Sequence, residues 1–102
     1  MIDGRDGHRY IGASDVQYET GYGDVTPAML RGWADVEYLH RVTVAELAAA
    51  LGEPVPVGVD GDAPARIHVR GRHVNVYRWA DVVACERARR IAPAGRRRRR
   101  DP

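Results

Sequence analysis

Apolar side chains first recur at helical spacing at Met29, Leu30, Trp33 and Val36, while Ala28, Arg31, Gly32 and Asp35 occupy the opposite face. This pattern predicts a helix over 27–38 with one face in a core. Its start is marked by Thr26-Pro27: threonine accepts a bond from an unpaired helical N–H, and proline at the first helical position has no N–H to satisfy. Upstream, Ser14 and Gln17 stand in capping-box spacing and predict a short helix over 12–20, closed by Gly21 and Gly23. The clearest helical signature comes next, where Thr43 and Glu46 form a T-x-x-E box. Val44, Leu47, Ala48 and Leu51 then repeat at i, i+3, i+4 and i+7 up to Gly52.

The period then changes to two. Arg66, His68 and Arg70 alternate with Ile67 and Val69, and His73, Asn75 and Tyr77 alternate with Val74 and Val76. This predicts a hairpin over 66–77 around Gly71-Arg72, with a type II′ turn that sets Arg70 opposite His73, His68 opposite Asn75 and Arg66 opposite Tyr77. One face is apolar and suits a helical core; the other offers Arg, His, Asn and Tyr to a partner. A last helix over 79–91 turns Trp79, Val82 and Val83 inward and closes at Pro93 and Gly95. Residues 1–9 read as a flexible arm, 53–65 as a loop with three prolines, and 93–102 as a disordered Arg-rich tail. The expected fold class is α+β: a small, mainly helical domain over 10–92 with a two-stranded hairpin.

Charge changes this picture most. All 16 basic residues are arginine, as a GC-rich bacterial or phage genome favours. Residues 1–65 hold four Arg against eleven acids, and residues 66–102 hold twelve Arg against three, so −7 is followed by +9. Such asymmetry is the mark of a polyanionic partner.

The chemistry the chain lacks is also informative. Cys85 is the single cysteine, so no internal disulfide is expected. His8, His40, His68 and His73 have no metal-ligand spacing with it, and Asp60-Gly61-Asp62 reads as a turn rather than a calcium loop. No nucleophile-base-orienter set and no phosphate-binding glycine loop can be assembled, so neither catalysis nor a cofactor is expected. Residues 1–10 lack the apolar run of a signal peptide and no stretch reaches membrane-spanning length; a cytoplasmic location without membrane contact is the resulting expectation.

Thr26-Pro27 with Trp33, and the basic hairpin followed by Tyr77-Arg78-Trp79-Ala80-Asp81-Val82, resemble the winged helix-turn-helix proteins of the MerR-like and phage excisionase type. The likeness covers residues 10–33 and 66–83, about 42 of 102 residues. It implies a small transcriptional regulator or recombination accessory factor that sets its second helix in the major groove and lays its wing on the phosphates. A second parse starts the motif at Thr43. Under the first, Thr26, Ala28 and Arg31 face the groove, and Arg31 either reads a guanine edge or pairs with Asp35. Arg66, His68, Arg70, Arg72, His73 and Asn75 are the expected wing contacts. Arg96, Arg97, Arg98, Arg99 and Arg100 add affinity without specificity. DNA is the expected partner; a homodimer contact or a basic protein docked on the acidic half, as in a non-enzymatic adaptor, is the other expectation.

Overall fold

The computed structural model describes the backbone of residues 1–100 and the side chains of residues 1–89. In chain order the elements are β1 (Ile2–Asp3), β2 (Arg9–Gly12), a 3-10 helix (Ala13–Tyr18), α1 (Pro27–Asp35), α2 (Val44–Leu51), β3 (Arg66–Val69), β4 (Arg72–Arg78) and α3 (Trp79–Arg100). The strands form one antiparallel sheet in the order β1-β2-β4-β3.

This sheet corrects the expected fold class. The protein is α+β but not mainly helical, with 38% helix and 21% strand, and its hairpin is not a two-stranded wing. β4 pairs with β3 on one side and with β2 on the other, where Ile11 stands opposite Tyr77 and Gly12 opposite Val76. The cause is burial on both faces of β4. Tyr77, only 1% exposed, packs with Ile11, Val16, Leu30 and Val82, whereas Val76, fully buried, packs on the other face with Tyr10, Val42, Ala50 and Ala65. Burying such side chains removes apolar surface from water at about 25 cal/mol per Å², and a free wing would forfeit that. Tyr77 therefore belongs to a core, not to a solvated polar face.

The hairpin forms with a different turn. Its register pairs Arg66 with Asn75, Ile67 with Val74, His68 with His73 and Val69 with Arg72. The turn is Arg70-Gly71, with φ of 51° and 81°, the two positive values that a type I′ turn demands. Relative to the expected pairing each partner shifts by two residues. Side chains alternate with that same period, so the paired strand residues keep their side of the sheet, but Arg70 moves into the turn and Tyr77 is buried in the core.

Local signals shape the helices. Thr26 accepts a bond from the Met29 N–H at 3.2 Å and starts α1. α1 stops at Asp35, so Leu30 and Ala34 are buried while Met29 and Val36, expected inside, are exposed. In α2 the Thr43 hydroxyl accepts from Glu46 N–H at 3.2 Å and the Glu46 carboxylate accepts from Thr43 N–H at 2.9 Å. The short helix expected over 12–20 is a six-residue 3-10 helix, Ala13–Tyr18. Residues 1–9, read from sequence as an arm, are tied to the sheet: Ile2 pairs with Tyr10, Arg5 N–H donates to the Ala50 carbonyl at 2.7 Å, and the Tyr10 hydroxyl donates to Asp6 at 2.6 Å. α3 is assigned past the closure expected at Pro93 and Gly95, through Arg100. The side chains of the expected arginine tail lie outside the described residues.

Candidate nucleic-acid interface

The 3-10 helix, α1 and the β3–β4 hairpin enclose a shallow cleft of about 230 Å³. Its polar lining comes from Arg31 on α1, Arg66 on β3, and His73 and Asn75 on β4; Pro27 and Tyr77 contribute to its walls. The cleft arises from how these segments fold. Proline at the helix start fixes where α1 enters, and Leu30, one residue before Arg31, is fully buried against the core that Tyr77 shares. Strand pairing then sets Arg66 directly opposite Asn75.

No acidic residue lines the cleft. Asp35, which the sequence offered to Arg31 at i+4, is taken by Arg41 at 2.6 Å. Arg31, Arg66 and Arg72 have no ion-pair partner among the described residues. Two arginines without an ion-pair partner among the described residues border one concave surface and give it a positive potential that attracts an anion.

The other expected contacts do not meet there. Thr26 and Ala28 are exposed on the first turn of α1 but do not line the cleft, and the Thr26 oxygen is engaged as a cap. His68 is exposed and stacks on His73, ring centroids 5.0 Å apart and 19° from parallel. Arg72 is exposed beside the turn, on the Val69 face of the hairpin. Two hairpin arginines are engaged elsewhere: Arg70 folds back over the Tyr18 ring and reaches Asp15 at 3.5 Å, and Arg78 reaches Asp81 at 3.8 Å. The side chains of residues 96–100 lie outside the described residues.

No family model, curated protein or solved structure matches this chain. Among the described residues no group of three or more His, Cys, Asp or Glu side chains gathers as a metal-ligand set, and no helix is long and apolar enough to cross a membrane. The meeting of Arg31 with Arg66 and Asn75 was not written in any local pattern, because it depends on how α1 lies against a distant hairpin. Pro27 in the cleft wall had only a capping signal, which predicts where a helix starts and nothing about what it faces.

Proposed function

We propose that this protein binds duplex DNA in the cytoplasm as a small, non-enzymatic regulator or recombination accessory factor. Its contact surface is the side of the molecule formed by α1 and the β3–β4 hairpin. One observation carries the reading: Arg31 and Arg66, far apart in sequence, line one cleft with His73 and Asn75, and among the described residues no acid lines it and neither arginine has an ion-pair partner. Phosphate neutralisation by such groups dominates DNA affinity. Most of the chain's basic charge, a net +9 over residues 66–102, belongs to the hairpin and the residues C-terminal to it. Titration of a fluorescent duplex at two salt concentrations tests it; binding that does not weaken as salt rises would sink the reading.

A second reading has its own observation. Val57 is fully exposed between Val55 and Val59, next in sequence to Pro56 of a groove lined by Leu47, Leu51, Pro54 and Pro56 with Glu53 and Arg66. These features suit an adaptor docking a basic, partly apolar protein. Absence of DNA binding in the same titration would favour it.

A further inference from the structure

We propose that the cleft between α1 and the hairpin is a clamp for a single phosphodiester, held by Arg31 and Arg66 together, so that Arg31 is a phosphate contact and not the reader of a base. This rests on the DNA-binding reading and assigns the anion its place.

The two candidate ligands differ in what they offer. A guanine edge presents O6 and N7, which one guanidinium occupies bidentately, leaving nothing for a second. A phosphodiester presents two non-bridging oxygens that share a full negative charge, and each accepts more than one charge-assisted bond. Arg31 and Arg66 line the same cleft, of about 230 Å³. Two cations in one concavity repel each other until an anion lies between them, and a phosphate relieves that repulsion while a neutral base edge does not. Asn75, opposite Arg66 in the strand register, adds an amide donor, and His73 adds an imidazole N–H. Among the described residues the cleft lining contains no carboxylate, although Arg66 also borders a neighbouring groove whose lining includes Glu53.

The clamp also changes which part of α1 is left for the groove. With Arg31 held at the hairpin, Ala28 and Gly32, both exposed, are the neighbouring positions at i and i+4, and space around Gly32 is open. They allow close approach of the helix backbone to DNA, but they carry no donor.

The test uses the full chain and the variants Arg31→Ala, Arg66→Ala and the double variant, each checked for native circular dichroism. Affinity for a random-sequence duplex is read across a salt series. Each single variant is expected to bind about tenfold more weakly. The double variant should lose less than the product of the two single losses, because both groups serve one phosphate. The slope of log affinity against log salt should fall by about 0.9 in the double variant, the value for one phosphate. A fall of about 1.8 with multiplicative losses would mean two separate phosphates and overturn the clamp. A selection from a random pool supplies the second readout: wild type and Arg31→Ala are expected to enrich the same sequences. Loss of preference at one base pair in Arg31→Ala would make Arg31 a base reader and overturn the proposal, with the DNA-binding reading intact. Failure of the wild type itself to bind any duplex at low salt would remove the DNA reading and the clamp with it.

Discussion

The guanidinium of Arg70 lies 4.3 Å from the centroid of the Tyr18 ring. The side chain at the tip of the hairpin is thereby folded onto the 3-10 helix, with Asp15 at 3.5 Å. The contact matters for the turn as well, because Arg70 has a φ of 51°, a conformation that side chains other than Gly, Asn and Asp seldom adopt. Arg70→Ala is expected to lower stability by about 0.5–1 kcal/mol through loss of the stack, and to lower DNA affinity less than Arg66→Ala does. Urea denaturation and duplex titration measure the two effects; an affinity loss equal to that of Arg66→Ala would show that Arg70 leaves Tyr18 to reach DNA.

Gly12 is where the sheet is most tightly crowded. A Cβ there would come within 3.0 Å of Ile67 Cδ1 and of Val74 Cγ2. Gly12→Val is expected to destabilise the protein by about 1–3 kcal/mol, the range for overpacking a filled interior, with Gly12→Ala at the lower end. Unchanged urea midpoints for both would mean that the Ile67 and Val74 side chains do not pack on Gly12.

The capping box of α2 should respond to acid. Burial pushes the Glu46 carboxyl up, but the Thr43 N–H and the His40 ring, at 2.7 Å, together hold it below its usual 4.5. A carboxyl whose pKa is lower in the folded state contributes stability that is complete above its unfolded value and is lost as pH falls through the folded value. Wild-type melting temperature should therefore fall between about pH 5 and about pH 3, and Glu46→Gln should fall less. Asp6, held low by the Tyr10 hydroxyl and the His8 N–H, adds to the wild-type loss and persists in the variant. Equal falls in the two proteins would show that the box does not titrate.

Cys85 should report on folding. It is buried on the core face of α3, and burial pushes its thiol up, so little thiolate is present at neutral pH. Reaction with an aromatic disulfide reagent is expected to be slow in buffer and to accelerate along the same urea curve as circular dichroism. Rapid labelling without urea would show that this part of the core opens locally.

The sequence was most legible where a signal is local. Thr26-Pro27 and the Thr43–Glu46 box mark both helix starts, because capping is decided within four residues. The faces of the hairpin were also readable, since alternation survives a shift of two. Its turn type was not: Arg70 at positive φ has no propensity signal, and its stacking on Tyr18 depends on a separate segment. The pairing of Ile11 with Tyr77 was equally hidden, being set by burial from two sides and not by any nearby residue. That one missed pairing made a sheet strand look like a free wing. At the candidate interface, the residue types were legible and their convergence was not. Nothing in the order of the chain told that Arg41 would claim Asp35 and leave Arg31 unpaired.

Tyr77 and Val76 are joined by one peptide bond yet fill opposite interiors. That peptide is a mechanical link between them: β4 cannot shift toward one side to repair a defect without withdrawing from the other. A cavity cut at Val76 is thus expected to be felt at Leu30 across the sheet, and the two interiors are expected to melt in one transition. In hydrogen exchange, the amides on both flanks of β4 should open together, at a single free energy equal to that of global unfolding.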